Sequence, residues 1–259
     1  MRLSQGQLNL LERCPRQFQH TYLEQLASPT NPEQQERQIW GSRFHLLMQQ
    51  RELGLPIESL VQEDPMLQHW MSAFANAAPE IVTPQTNGQF RESEHWRTLQ
   101  VQDYLLTVIY DLLVADSSTA QILDWKTYPK PQHKRKLEQN WQTRLYLYVL
   151  AQTSDYLPEQ ISMTYWFVQS ENKPQCIKFA YSQAQHEKIR QKLNQLLNQL
   201  TVWLQRYEEG EPFPQVVEGS KHCEYCQYAT RCERDRYDGE EALSTQWLQN
   251  LDNIQEVSL

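Results

Sequence analysis

Two aspartates interrupt apolar runs: Asp111 within Tyr104–Ala115, and Asp124 at the end of Gln121-Ile122-Leu123. A bare carboxylate among apolar neighbours is expensive, so a cation is expected where the two meet. If the runs are neighbouring strands, both carboxylates converge, and hard oxygen ligands suit Mg²⁺ or Mn²⁺ better than zinc. Lys126 follows Asp124 by two positions and shares its strand face, where its ammonium can hold a water or stabilise developing negative charge. Two acids and a lysine around one cation form a hydrolytic set. His45 stands one helical turn after Gly41, whose missing side chain lets that helix approach the sheet, and offers a further ligand to the same cation. Taken singly, Asp-x-Lys is more often a structural salt bridge, and a lone helical histidine is more often merely satisfied.

Gln142 and Tyr146 share a helical face and present an amide and a phenol, suited to a phosphate or a base. Between Lys126 and Gln142 lie Lys130, His133, Lys134, Arg135 and Lys136, the densest basic run of the chain. A DNA or RNA backbone would lie there; the plainer reading is a solvated loop. Cys223, Cys226 and Cys232 put three thiols in one short segment, and Cys14 supplies a fourth from the other end. Four thiolates can hold an iron–sulfur cluster or a tetrahedral Zn²⁺, and either would close a very long loop. Cys176, in a strand, is expected as a buried small hydrophobe.

The elements that must position these residues follow from periodicity. Ser4–Leu26 reads as a helix capped by Ser4 with Gln7, started again or kinked at Pro15. A second helix is expected over Gln34–Leu53, and short helices over Pro56–Pro84. From Glu92 the period becomes two, predicting strands Ser93–Val101, Tyr104–Ala115 and Gln121–Thr127 in an antiparallel meander. A helix follows over Leu137–Ala151, then a strand over Ile161–Gln169 and, after the turn Glu171–Pro174, a partner strand Cys176–Tyr181. Ser182 and Gln185 cap a long helix that runs to Gly210 and Pro212. The expected order is helix, three strands, helix, strand, with flanking helices at both ends: an α/β fold in one domain spanning 1–259, its core at about 34–181, with 1–26 and 182–240 as helical and cysteine-bearing flanks.

Composition narrows the classes. With 259 residues, 39% of them hydrophobic and 11% aromatic, the chain carries too much packing material to be disordered. Lys and Arg total 24 against 32 Asp and Glu, a net charge of -8, so any polyanion must be met locally. The longest apolar stretch is cut by Asp111 and is too short to span a bilayer, and the first residues are too polar for a secretory signal. A cytoplasmic protein without disulfides and without a membrane partner is expected.

In this order the motifs resemble the RecB-like branch of the PD-(D/E)XK nuclease superfamily, which includes the AddB nuclease domain and CRISPR-associated RecB-like exonucleases. The resemblance rests on Arg13-Cys14-Pro15-Arg16, Gly41 to His45, Asp111, Asp124-Trp125-Lys126, Gln142 to Tyr146 and the triplet Cys223, Cys226, Cys232. It implies a restriction-endonuclease-like, helix-wrapped mixed sheet and Mg²⁺ or Mn²⁺ held by His45, Asp111, Asp124 and the Trp125 carbonyl. It also implies that Lys126 activates water, that a 4Fe-4S cluster sits on the four cysteines, and that Gln142 and Tyr146 guide the strand being cut. Glu94 resembles an acid of this branch that stands behind the direct ligands. Val108 departs from the pattern, which has Gly three residues before the first metal Asp. The implied activity is a DNA nuclease, an exonuclease on single-stranded or unwound DNA, serving recombination, repair or CRISPR adaptation alongside a helicase or adaptation proteins. Two other readings remain: an inactive nuclease-fold DNA-binding or scaffolding subunit, and a zinc-stapled interaction protein.

Overall fold

The computed structural model describes residues 1–26, 32–62, 64–82, 89–128, 134–169 and 173–234. Among the described residues six strands form one mixed sheet: β1 (Arg2–Leu3), β2 (Phe90–Val101), β3 (Tyr104–Ala115), β4 (Ala120–Lys126), β5 (Ile161–Phe167) and β6 (Gln175–Ala180). The pairings β2–β3 and β3–β4 are antiparallel, β4–β5 is parallel, and β5–β6 is antiparallel. Two tight turns fix the meander. Gln102 takes φ +53° between β2 and β3, and Asp116 Oδ1 accepts from the backbone N–H of Ser118 and Thr119 at 2.7 and 2.8 Å between β3 and β4.

Helices cover both faces. On one side α1 (Gln5–Arg13), α8 (Trp141–Gln152) and α9 (Gln183–Glu208) pack Leu8, Leu11, Trp141, Leu145, Leu193 and Leu200 against Leu106, Val108 and Tyr110. On the other, α3 (Pro32–Glu52) and α5 (Pro65–Ala77) bring Phe44, Met48, Trp70 and Phe74 onto Leu112, Leu123 and Trp125. The shorter helices are α2 (Pro15–Phe18), α4 (Glu58–Gln62), α6 (Pro79–Val82) and α7 (Lys134–Gln139). No described helix is long and apolar enough to cross a membrane.

Several expected elements are redrawn. The first helix breaks at Cys14, which is extended at φ -158°, ψ 106°, because the residue before a proline is driven out of the helical region while Pro15 starts α2. It ends in a π-helical turn, Gln19–Leu23. The helix expected over Leu137–Ala151 divides at Asn140, whose Oδ1 accepts from Gln142 N at 2.8 Å and caps α8. The first long strand begins at Phe90 rather than Ser93, and Arg2–Leu3 adds a short parallel strand beside Leu105 and Leu106. Cys176 is exposed, not buried. It lies on the edge strand β6, where Ile177 and Phe179 turn to the core and alternation sends Cys176 and Lys178 the other way. Lys130, the turn residues Glu171 and Asn172, and residues 235–240 of the expected C-terminal flank lie outside the described residues.

Candidate active site

The sheet's alternation slips at one level. On β3, Leu106, Val108 and Tyr110 enter the α8-side core, whereas Leu112 enters the α5-side core. On β2, His95 stacks on Tyr110, while Arg91 turns to the other side and pairs with Glu52 of α3. Residues an even number apart on a regular strand share a face, so both strands change phase between these positions. Glu94 and Asp111 stand at the change, between the pairs Ser93↔Leu112 and His95↔Tyr110. Glu94 has φ +51°, a left-handed conformation uncommon for a side chain of this kind and of the sort that gathers at functional sites.

A second irregularity meets the first. The β3–β4 ladder ends at Leu112↔Leu123, so the strands part where Asp111 and Asp124 stand. Beyond the fork the backbone of Trp125 needs new partners. Its N–H donates to Asp111 Oδ2 at 2.6 Å, and its carbonyl oxygen lies 3.1 Å from His45 Nε2. His45 Nδ1 faces Asp111 Oδ1 at 3.4 Å. Helix α3 comes this close because a Cβ on Gly41 would already meet Thr127 Oγ1 at 3.1 Å. One ligand atom each from His45, Glu94 and Asp111 lies within 4.8 Å of the others, the one such group among the described residues.

Asp124 and Lys126 sit on the α8 side of the fork. Asp124 is buried; its Oδ1 lies 2.5 Å from Lys126 Nζ, an ion pair that lacks the angle of a hydrogen bond. Its Oδ2 accepts from Gln142 Nε2 at 2.6 Å, and Gln142 Oε1 accepts from Lys126 Nζ at 3.0 Å. The three side chains form a closed triangle. Gln142 and Tyr146 reach it from consecutive turns of α8. Together these residues line an open cleft of about 390 Å³ that also includes Gln5, Ile109 and Tyr128.

Electrostatics follow from burial and crowding. Burial raises the Glu94 carboxyl, and the nearby Asp111 charge raises it further. Burial pulls His45 down, but its hydrogen bond to Asp111 and the charges of Asp111 and Asp124 outweigh this and raise it. Lys126 behaves alike: burial works against the ammonium, and Asp124 and Asp111 more than compensate, so it stays protonated. Burial raises Asp124 even though Lys126 opposes the shift. Burial also raises the Tyr146 phenol, which keeps its proton at neutral pH.

Not every expected residue joins the cleft. Lys134, Arg135 and Lys136 are exposed on α7, none lines the cleft, and Lys134 Nζ lies 5.4 Å from the centre of the Phe179 ring on β6. Glu94 stands level with His45 and Asp111 rather than behind them, a position the sequence signals only through its apposition to Asp111 in the meander. Gln5 and Ile109 carry no motif that would have marked them.

A second gathering lies at the far end of α1. Cys14, Cys223, Cys226 and Cys232 line one small pocket together with Tyr228 and His222. All are free thiols, and no three of their sulfurs lie within 4.8 Å of one another. Burial raises the Cys226 and Cys232 thiols, and the neighbouring cysteines add to it. His20, buried in the π-helical turn, holds Glu24 at 2.6 Å through Nδ1 and faces Cys232 Sγ at 3.8 Å through Nε2.

Residues 2–233 match the family described as the PD-(D/E)XK nuclease superfamily. No curated protein matches. Among solved structures, "Crystal structure of SSO0001" is similar at 13% identity with a TM-score of 0.40, over 89% of this chain and 85% of that one. The family match spans nearly the whole chain, and the chain therefore belongs to the PD-(D/E)XK nuclease superfamily, whose members typically use divalent metals.

Proposed function

We propose that this chain is a divalent-metal-dependent deoxyribonuclease that hydrolyses phosphodiesters at the forked cleft. The observation that carries the reading is the convergence of His45, Glu94 and Asp111 at 4.8 Å or less beside the buried Asp124–Lys126 pair. The donor set fits a hard cation: carboxylate oxygens predominate, one imidazole completes it, and the Trp125 carbonyl lies beside that imidazole. His45, Glu94 and Asp111 would hold Mg²⁺ or Mn²⁺, with Asp124 and the Trp125 carbonyl adjoining. The bound ion supplies Lewis acidity at the scissile phosphate and a strong nucleophile near neutral pH.

The chain's own groups do the rest. Trp125 N–H fixes the Asp111 carboxylate so that its other oxygen faces the cleft. Asp124 and Gln142 hold the Lys126 ammonium in place, where it orients water and stabilises negative charge developing on the phosphate. Tyr146, keeping its proton, donates to a phosphate oxygen of the strand, and Gln142 orients that strand beside it. The motif order that resembles the RecB-like branch supports the finer reading, an exonuclease on single-stranded or unwound DNA in recombination, repair or CRISPR adaptation.

The four cysteines form an all-thiol set. Tetrahedral zinc would draw its sulfurs to roughly 3.8 Å from one another, given Zn–S bonds of about 2.3 Å. The motif order that resembles the RecB-like branch supports a 4Fe-4S cluster here, with tetrahedral zinc as the alternative. Such a cluster on Cys14, Cys223, Cys226 and Cys232 would tie the two ends of the fold by four iron–thiolate bonds.

The test is cleavage of end-labelled linear and circular single-stranded DNA in Mg²⁺ or Mn²⁺, comparing wild type with Asp124→Ala. Loss of linear but not circular substrate, abolished in the variant, is the expected result. Cutting of circles would replace the exonuclease with an endonuclease, and wild-type protein that cuts neither would overturn the nuclease reading.

A further inference from the structure

Among the described residues, no helix covers the sheet face at Trp96 and Ile109, which leads away from the cleft. Past Glu94 and Asp111, β2 and β3 turn Trp96 and Ile109 to the side that α3 and α5 cover elsewhere, and the two residues are direct cross-strand partners. Trp96 is 52% exposed and Ile109 44%, so an indole and an aliphatic side chain stand together at the surface. Ile109 is itself part of the cleft wall. Trp96 lies two residues from Glu94, roughly 6.7 Å along the strand, a step that one extended nucleotide can span. Over the Trp96 ring, at 5.7 Å from its centre, stands the Arg2 guanidinium, brought there because β1 pairs with β3 at Leu105 and Leu106. An exposed indole with a guanidinium against it, continuous with a phosphodiester-cutting cleft, has the chemistry of a single-strand platform: π-stacking for a base, cationic charge for the adjoining phosphate.

We infer that Trp96, flanked by Ile109 and Arg2, stacks an unpaired base next to the scissile phosphate and so makes the cleft select single-stranded DNA. A base held in a duplex cannot lie on the ring without first leaving its stack. The inference rests on the nuclease reading of the cleft, and it assigns Trp96 to positioning rather than to the chemical step.

The test measures binding, so it is independent of cutting. Fluorescence anisotropy of a labelled oligothymidylate in EDTA is recorded for wild type, Trp96→Ala and Trp96→Phe, with parallel oligonucleotides carrying abasic sites. Trp96→Ala is expected to weaken binding about 10- to 100-fold, the range of one lost base stack. Trp96→Phe is expected to retain most of it, and wild type should bind the abasic strand as weakly as Trp96→Ala binds the intact one. Equal binding by wild type and Trp96→Ala overturns the inference. So does a loss in Trp96→Ala that is as large on abasic DNA as on intact DNA, since no base is then involved. The abasic comparison on wild type needs no variant, so misfolding of a substituted chain leaves it decisive. Cleavage of single-stranded DNA by wild type in Mg²⁺ checks the nuclease reading separately, and can succeed while the stacking inference fails.

Discussion

The forked cleft and the cysteine pocket are held together in opposite ways. In the cleft nearly every polar group already has a protein partner: Asp111 takes the Trp125 N–H, His45 bridges Asp111 and the Trp125 carbonyl, and Lys126 and Gln142 clasp Asp124. The cysteine pocket has four free thiols, a segment of turns from residue 217 to 234, and one short 3₁₀ turn at Thr230–Cys232. It is tied to the first turns of the chain mainly through Tyr228, whose Oη donates to the Leu26 carbonyl at 2.6 Å and lies 3.2 Å from Thr21 Oγ1 and whose ring packs on His20, and through the His20–Cys232 contact. A bound group would therefore do different work in the two places. In the cleft it would add chemistry to a frame that stands without it; among the cysteines it would add a cross-link to the frame.

The largest effect that sharpens this contrast is on cleavage. Asp111→Ala removes a candidate ligand and leaves the Trp125 N–H unpaired, so the rate on single-stranded DNA with Mg²⁺ should fall at least about a thousandfold. The melting temperature should move by only a few degrees, because the sheet and both cores stay intact. If Asp111→Ala instead melts the protein while residual cutting persists, the cleft is structural and the contrast is broken.

Cys226→Ser should do the reverse. Losing one of four thiolates should release whatever metal the pocket holds and lower the melting temperature by roughly 5–10 °C, as a loss of a few kcal/mol would in a chain of this size. Metal analysis and visible absorption before and after substitution check this: iron with a reducible brown chromophore supports the cluster, and colourless protein carrying zinc replaces it. Limited proteolysis should then cut between 217 and 234 in the variant first. A variant with unchanged melting and unchanged metal content would mean that the thiols are bystanders.

A moderate effect separates the two sites by pH. Glu94 and His45 both have raised pKa values, so each keeps its proton to a higher pH than an exposed counterpart. Protons then compete with the cation, and Mn²⁺ affinity of the cleft, read by calorimetry, should climb as pH rises through the range where the two groups deprotonate. Glu94→Gln removes one competing proton and should flatten that climb. In the metal-free chain the sign for stability is opposite: a raised histidine contributes fully below its unfolded value near 6.5 and loses that contribution as pH rises through its folded value. An affinity that falls with rising pH would place the ion elsewhere.

How much of this was written in the sequence depends on whether a residue acts through its type or through its backbone. Asp111, Asp124 and Lys126 were legible because a charge inside an apolar run is conspicuous at any level of description. That their strands adjoin followed from the short connection at 116–119. Glu94 is harder to read, because its place beside His45 and Asp111 comes with a left-handed φ and a phase change shared with β3, which no alternation pattern encodes. The fork itself was invisible, since it depends on β1 taking the edge of β3 that β4 leaves, and two residues carry no periodicity. The basic run at 134–136 is conspicuous by charge density, and the short helix it forms leaves those side chains exposed and outside the lining of the cleft. Cys14 broke the first helix for a reason the sequence did contain, the proline after it.

Gly41 gives the smallest expected effect and the finest discrimination. Alanine there adds a methyl 3.1 Å from Thr127 Oγ1, closer than side chains ordinarily approach. It also replaces a helical glycine, which is worth about 0.5–1 kcal/mol of stability in the helix interior. The Thr127 side chain is partly exposed and can turn aside, so the two terms nearly cancel, and Gly41→Ala should melt within about 2 °C of wild type. The position of α3 over the fork has less freedom, because His45 rides on the next turn and must reach both Asp111 and the Trp125 carbonyl. A shift of a few tenths of an ångström there should lower cleavage several-fold with little change in DNA binding in EDTA. Adding Thr127→Ala to Gly41→Ala removes the crowding and should restore most of the rate. If the double variant stays as slow as the single one, the close approach of α3 is not what seats His45, and the glycine serves only the packing of the helix.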